Sequence, residues 1–398
     1  MPREADPKEA SSGLPDGMPD RNDREGPEAD IPPEVADAPA SLRMTERYPE
    51  DVLPDPEPGE RSAIMREARR LYPGYFSMVM ATGVVSMACE FLGLRWIALP
   101  LIGISWAAYL VLWGLTLIRL IWFPRRIALD LSTHYRAPGF FTLVAGTCVL
   151  GTQSVVVLDA WMTGFVLWHL GLALWGVVMY AFFTAVTIRG TKPSLAAGIN
   201  GAWLIAAVAT QSVVVLRAVL NADSAPPEAV QVLCLSFFMI GCMLYLAIIP
   251  LIFYRLTFSQ LAAQDFGPPY WINMGAAAIT TLSGALLVGR GDIWPVIGEF
   301  VPIIRGFTIF FWSAASWWIP FLASLMVWRY VIRRDPPRYE PQLWGMVFPL
   351  GMYTTSTLQL GWKLPLPAVL PIPELFIYVA LAAWSATFIG LLFTLARA

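Results

Sequence analysis

The chain has 398 residues, of which 57% are hydrophobic and only 14% are charged. Soluble proteins average about 25% charged residues, so this composition excludes an ordinary soluble protein and indicates a membrane protein. The net charge of −2 conceals an asymmetry: residues 1–60 carry 17 acidic and 6 basic side chains (−11), whereas the other 338 carry 12 acidic and 21 basic (+9).

The first 71 residues differ from the rest of the chain. Residues 1–60 are rich in Pro, Asp and Glu and poor in aromatic residues, and such a segment buries too little apolar surface to offset the entropy of ordering. We therefore predict a disordered acidic tail there. Residues 61–71 have the pattern of a short basic amphipathic helix, which we expect at the membrane surface. Residues 72–398 form the predicted membrane domain.

Ten apolar segments follow, and each has about the 20 residues that a helix needs to cross the hydrocarbon core. The loops between them are short and many contain Pro or Gly, which favours antiparallel hairpins. The sequence thus predicts an all-α polytopic membrane protein of five helical hairpins. The segments are 73–94, 97–123, 138–158, 161–188, 195–220, 228–255, 269–289, 302–332, 342–361 and 367–396.

The basic residues predict the orientation. If all ten segments span the bilayer, sixteen Arg and Lys residues fall on the side of the N-terminus and five on the opposite side. Cytoplasmic loops carry the excess of Lys and Arg in membrane proteins. We therefore predict a plasma (inner) membrane protein with both termini in the cytoplasm.

Two sequence repeats indicate that a helical unit recurs. The stretch 73–82 begins Pro-Gly-aromatic-Phe and ends in Thr, and 138–147 repeats this pattern with its Thr at the same offset. The heptapeptide Thr-Gln-Ser-Val-Val-Val-Leu occurs at 152–158 and again, unchanged, at 210–216. Repetition of this kind sets an architecture, and the spacing here leaves room for one helix between copies.

The odd-numbered segments carry small and hydroxyl residues, whereas the even-numbered ones are rich in Trp, Phe, Leu and Ile. Polar groups at membrane depth avoid lipid, so we predict that five inner helices line a central, quasi-fivefold pore. The alternative is that small residues only allow close helix packing. The predicted pore-lining residues are Thr82, Gly83, Ser86, Thr147, Gly151, Thr210, Asn273, Thr280, Gly284, Met352 and Thr355.

The stretch 73–86, PGYFSMVMATGVVS, resembles the first span of the tellurite-resistance/C4-dicarboxylate transporter family. That family includes bacterial tellurite-resistance channels, plant slow anion channels, and fungal sulfite and malate transporters. The stretch 344–351, WGMVFPLG, is similar to the family's aromatic-Phe-Pro motif. The resemblance covers about 70–396 and implies five hairpins around a pore, a homotrimer with one pore in each protomer, and a pore plugged by Phe348 before Pro349.

The residues themselves support a gate at Phe348 more weakly than the family resemblance does. Pro349 removes a helical hydrogen bond, which frees a carbonyl near Gly345 and kinks the helix. The ring of Phe348, in a path lined by Thr, Gly and Ala, would block hydrated ions. The alternative is that Phe348 packs against a neighbouring helix or faces lipid.

The sequence gives little support to an enzymatic, metal-binding or cofactor-binding function. The sequence holds no familiar catalytic motif and no metal-ligand spacing, so we expect neither an enzyme nor a metal or other cofactor. Carboxylates within the spans are scarce, which favours passive passage of small inorganic anions or C4-dicarboxylates, with no nucleic-acid partner. The alternative is a proton-coupled dicarboxylate carrier, or an efflux transporter for sulfite or tellurite-related species, with His169 or Glu90 linked to protons.

Overall fold

The computed structural model of the protein describes residues 63–190, 192–336 and 338–397. The predicted acidic tail over 1–60 lies outside the described residues. A short helix, Ala63–Arg70, falls within the predicted amphipathic segment. Its location at the membrane surface stays a prediction.

The described residues contain ten long helices and are all-α in class, as predicted. Nine of these helices are long and apolar enough to span a membrane. The tenth, α9, has 20 residues and is less apolar because it carries several hydroxyl groups. The helices are α1 (Ser77–Phe91), α2 (Arg95–Trp122), α3 (Phe141–Leu158), α4 (Trp161–Ile188), α5 (Ile205–Leu220), α6 (Glu228–Phe258), α7 (Ile272–Val288), α8 (Pro295–Val327), α9 (Trp344–Lys363) and α10 (Pro371–Arg397).

Most predicted boundaries agree with these helices to within several residues. The two largest differences are in α5, which begins at Ile205, ten residues after its predicted start, and in α8, which begins at Pro295, seven residues before its predicted start. The prediction took Pro302 as a helix start, but this proline lies inside the helix. Proline is tolerated within membrane helices because neighbouring groups satisfy the freed backbone atoms.

The helices form two shells. In four odd-numbered helices the most apolar stretch is 78–100% buried, whereas in the five even-numbered helices it is 22–44% buried. Nearly all of α9 is buried as well. We call the odd-numbered helices inner and the even-numbered helices outer. The small and hydroxyl residues of the odd-numbered segments thus belong to the buried helices, and the large apolar residues of the even-numbered segments belong to the more exposed ones.

Every inner helix begins with a short 3₁₀ turn. Four of the five turns have Pro in their first two positions, where its fixed φ suits a helix start and its missing N–H costs nothing. The Pro-Gly sequences at 73–74 and 138–139 therefore mark two copies of a structural unit that occurs at all five inner helices. The turns are Pro73–Phe76, Ala137–Phe140, Gly201–Leu204, Pro268–Trp271 and Pro341–Leu343.

An arginine fastens each of the first four hairpins at the same end. It lies at the end of the outer helix, or just beyond it, and donates to a backbone carbonyl shortly before the inner helix of its own hairpin. A charged donor strengthens such a bond. The four bonds are Arg119 to Leu71 at 2.6 Å, Arg189 to Ser132 at 2.6 Å, Arg255 to Ala196 at 2.6 Å, and Arg329 to Phe266 at 2.5 Å.

A second set of hydrogen bonds joins each hairpin to the next. An aromatic side chain of every outer helix bonds with the inner helix of the following hairpin, and the last outer helix returns to the first inner helix. The pairs are Tyr109 with Thr147 (3.0 Å), Trp175 with Thr210 (2.8 Å), Tyr245 with the Asn273 carbonyl (3.2 Å), Trp312 with Thr357 (3.1 Å) and Trp384 with Thr82 (3.0 Å). Successive inner helices contact each other, and α9 contacts α1.

Candidate functional site

A cavity lies where the inner helices begin. The empty space there, counted together with solvent at its open side, is about 450 Å³, and all five inner helices or their 3₁₀ turns contribute to its wall. The lining includes Gly74 and Ser77 before and on α1, Thr142 on α3, Ile205 on α5, Ile272 on α7 and Phe348 on α9. All five repeated units therefore meet at this space.

Phe348 belongs to this wall and is only 1% exposed. Pro349 follows it inside the helix, so the carbonyl of Gly345 loses its usual helical partner. On the neighbouring helix, a Cβ added to Gly275 would lie 2.7 Å from Cγ of Pro349. The two helices therefore meet closely at the proline.

The face of α9 that carries Phe348 continues along the helix. At about 100° per residue, positions 352, 355 and 359 fall within about 40° of Phe348. They are Met352, Thr355 and Gln359, and all three are buried. The opposite face bonds with an outer helix, since Trp312 donates to Thr357. Met352 and Thr355, both predicted from the sequence, thus lie on the same face of α9 as Phe348, and their place on a pore stays a prediction.

Three other predicted threonines have their hydroxyls engaged with outer helices. Thr82 accepts from Trp384, Thr147 is bonded to Tyr109, and Thr210 accepts from Trp175. The hydroxyl of Thr280 donates to the carbonyl of Ala276 in its own helix. Their place on a pore stays a prediction, but these bonds stabilise the joint between the two shells.

The predicted serine and glycines lie at helix contacts. Ser86 donates to the carbonyl of Ala98 on α2 at 2.8 Å. A Cβ on Gly151 would lie 2.7 Å from Leu216, and one on Gly284 would lie 2.2 Å from the Thr308 hydroxyl. Gly83 approaches Val149 and Gln153 of α3 in the same way. These positions allow backbones to approach closely, as small residues do between membrane helices.

Two predicted residues carry buried polar atoms without a hydrogen-bond partner among the described residues. Both side-chain atoms of Asn273 are in this state, and so is the hydroxyl of Thr355. Sequence reasoning missed a third, Gln153, whose amide N and O are both unpaired although the residue is fully buried. Its signal in the sequence was the repeated heptapeptide, in which it stands second.

The two residues considered for proton coupling do not line the cavity. His169 is exposed on α4, and its Nδ1 bonds with the carbonyl of Phe165. Glu90 lies near the end of α1 remote from the cavity and is ion-paired with Arg95. The structure therefore brings neither residue together with Phe348.

A cluster of charged groups lies beside Tyr72, at the end of the cavity that precedes α1. Tyr72 lines the cavity, and the guanidinium of Arg136 lies 5.4 Å from its ring centroid. Buried Asp130 pairs with Arg136 at 2.8 Å and with Arg119 at 2.6 Å. Burial raises the pKa of Tyr72, while Arg136 lowers that pKa by a smaller amount. This end of the cavity thus presents a protonated phenol and an arginine held by a carboxylate.

The sequence pattern of the SLAC1 family, described as voltage-dependent anion channels, matches residues 70–392. The chain belongs to this family. The resemblance that the first span and the Phe-Pro motif suggested is thereby confirmed.

Relatives of the SLAC1-family chain include proteins of three kinds. It is 42% identical over 38% of its length to an uncharacterised membrane protein of Mycobacterium tuberculosis, covering 77% of that protein. It is 22% identical to an uncharacterised transporter of Methanocaldococcus jannaschii, over 71% of this chain and 82% of the relative. A sulfite efflux pump of Trichophyton rubrum is 24% identical, over 80% and 88% respectively. Family and relatives indicate a membrane transporter or channel for anions rather than an enzyme.

Proposed function

We propose that this protein is a channel or passive transporter for small anions, with a path that runs between the five inner helices and is closed by Phe348. The cavity that all five inner units share, with Phe348 in its wall, is the observation that carries the proposal. A path between helices of one chain needs such a common space, and its closed end needs a side chain large enough to exclude water.

The electrostatics of this space favour anions. The lining residues lie in or just before the first turns of five helices, where the aligned peptide dipoles give each helix end a partial positive charge of about half a unit. None of the described residues that line the cavity is a carboxylate. Five such ends around one space attract an anion without any fixed cation to hold it, which suits passage rather than tight binding.

A hinge at Pro349 suits a gate. Since the proline interrupts the helical hydrogen bonds, a small rotation there moves Phe348 without unfolding α9. Met352 and Thr355 extend the same face, and we assign them to the path beyond the gate. The ions we consider are chloride, nitrate, sulfite and C4-dicarboxylates.

The orientation and assembly follow from the sequence. The sequence predicts sixteen basic residues on the side of the N-terminus against five on the other side, and on this basis we propose that the cavity faces the cytoplasm at the inner membrane. By the family resemblance we also propose a homotrimer in which each protomer has its own path.

The decisive test is anion current through liposomes that contain the wild type or the Phe348→Ala variant. Loss of the ring should raise chloride current by about tenfold or more, which corresponds to a barrier lowered by about 1.4 kcal/mol. Phe141→Ala is the matched control, because Phe141 is also a buried phenylalanine of an inner helix but packs on Phe182 and does not line the cavity. Equal currents in a folded Phe348→Ala variant and the wild type would contradict the gate.

The similarity to a sulfite efflux pump supports one alternative, a carrier coupled to protons. Sulfite flux that rises with an imposed pH gradient, and loses this dependence in His169→Gln or Glu90→Gln, would favour the carrier. Flux that follows only the anion gradient and the voltage favours the passive path.

A further inference from the structure

We propose that the carboxamide of Gln153 and, farther along, the hydroxyl of Thr355 form a selectivity region beyond Phe348. They would bind a small monovalent anion that has lost part of its water. This inference rests on the proposed function, since it assigns residues to the same path.

The first observation is that Gln153 is fully buried and that neither side-chain atom has a hydrogen-bond partner in the part of the chain that the structure describes. A buried amide without a partner is costly, so a native structure retains one only where something else satisfies it. The second glutamine of the repeat shows the contrast. Gln211 donates to the Phe238 carbonyl at 3.1 Å and accepts from Ser283 at 2.7 Å.

The helical position of Gln153 directs it along the cavity line. Thr142 lines the cavity from the start of α3, and residue 153 falls within about 20° of it when each residue turns about 100°. Thr147 lies about 140° from that direction, and its hydroxyl is bonded to Tyr109 of outer helix α2. The outer helix thus marks one face of α3, and Gln153 lies on the other.

Gly83 on the neighbouring α1 makes room for this side chain. A Cβ at Gly83 would lie 3.3 Å from Oε1 of Gln153 and 3.8 Å from its Cδ. Nε2 lies farther from that position than either atom. The oxygen of the carboxamide therefore packs against a residue that has no side chain, and the two N–H donors remain for another partner.

Thr355 repeats this condition on α9. Its hydroxyl is buried and unpaired, and it lies on the face of Phe348. Six other threonines of the inner helices donate to the carbonyl four residues earlier, as Thr354 does to Leu350 at 3.0 Å. Thr355 has no such bond. Gly351, one turn before Thr355, packs against Val84 and Val85 of α1, whereas Gln153 packs against Gly83. The carboxamide of Gln153 and the hydroxyl of Thr355 therefore lie roughly one to two turns apart along α1.

Neutral donors in succession suit a permeant anion. Amide and hydroxyl groups replace part of its water without binding it as tightly as a cation would, so that the ion can leave again. The replacement matters most for the more strongly hydrated ion, and we therefore expect Gln153 to favour chloride relative to nitrate.

The test compares permeability ratios from reversal potentials in the Phe348→Ala background. Adding Gln153→Leu should lower chloride conductance by about tenfold and shift the nitrate-to-chloride ratio toward nitrate. Thr355→Val should shift that ratio in the same direction. Gln231→Leu is the matched control, because Gln231 is a buried glutamine of outer helix α6 that donates to Pro226 and accepts from Val296.

Thermal unfolding in detergent gives a readout that does not need current. Gln153→Leu should unfold at the same or a higher temperature than wild type, whereas Gln231→Leu should unfold at a lower one. Sodium nitrate or chloride, compared with gluconate, should stabilise the wild type and stabilise Gln153→Leu less. A lower unfolding temperature for Gln153→Leu with an unchanged ion ratio would overturn the proposal. If Phe348→Ala carries no extra current but Gln153→Leu loses the anion-dependent stabilisation, the result supports anion binding at Gln153 and contradicts the gate at Phe348.

Discussion

The indole Nε1 of Trp384 donates a hydrogen bond to the hydroxyl of Thr82 at 3.0 Å, across 302 positions of the chain. It joins the last outer helix, α10, to the first inner helix, α1. Each of the other four outer helices bonds with the inner helix of the next hairpin. The bond between Trp384 and Thr82 is therefore the one that closes the series.

Removing the donor of this bond should weaken the closure. Trp384→Phe keeps most of the ring but leaves the buried Thr82 hydroxyl without its indole partner, and we expect a loss of about 1 kcal/mol in the free energy of unfolding. The unfolding temperature in detergent measures it. Trp317→Phe, at a residue that is 53% exposed on α8, serves as the control and should change little.

Thr82→Val tests the same bond from its other side and also tests the pore-lining prediction. It should cost about as much as Trp384→Phe, and the double variant should cost less than the sum because the two residues share one interaction. The nitrate-to-chloride permeability ratio should stay at the wild-type value. A shifted ratio would show that Thr82 faces the ions, as its sequence position suggested.

Gly275→Ala should disturb the gate from the neighbouring helix. The added Cβ would lie 2.7 Å from Cγ of Pro349, and a proline ring cannot move aside as a flexible side chain does. We expect a cost of about 1–3 kcal/mol and a higher basal anion current as Phe348 is displaced. Gly176→Ala on α4 meets no atom within 4 Å, and it should leave the current unchanged. A Gly275→Ala variant with wild-type stability and wild-type current would argue against close packing at Pro349.

Asp130 should be essential for folding at the end of the cavity that precedes α1. It is fully buried between Arg119 and Arg136, so Asp130→Asn leaves two arginines without their counter-charge. Breaking a buried pair in this way costs about 3–5 kcal/mol. The yield of folded protein on size-exclusion chromatography measures the loss, with the exposed Asp292→Asn as the control. Wild-type yield and unfolding temperature for Asp130→Asn would contradict this role.

Acidification should destabilise the protein through His134. Burial, and then the charges of Arg189 and Lys192, hold the pKa of His134 below its ordinary value of 6.5. A depressed pKa means that the folded state resists protonation, so this contribution to stability is present above about pH 6.5 and is lost as the pH falls below it. The unfolding temperature should therefore fall more between about pH 7.5 and pH 5.5 in the wild type than in His134→Gln. Parallel falls would exclude His134 as the cause.

The sequence predicted the helical architecture well because membrane helices can be recognised by their length and apolar composition. The repeated Pro-Gly turns and the alternation of residue content identified the unit that recurs and which helices are buried. Phe348 followed from its motif, and the structure places it in the wall of the shared cavity. Asn273 and Thr355 were selected as polar residues in inner helices, and both prove to have unpaired side-chain atoms.

The direction that each residue faces was decided only by tertiary structure. Thr82 and Thr355 are the same residue type in the middle of inner helices, yet Trp384 occupies the hydroxyl of one, and the hydroxyl of the other has no partner among the described residues. The two glutamines of one repeated heptapeptide differ in the same way. An inner helix is buried on every side, so its own sequence lacks the polar and apolar faces that would orient it. The neighbouring helices, which lie up to 300 positions away in the chain, set that orientation through packing and hydrogen bonds.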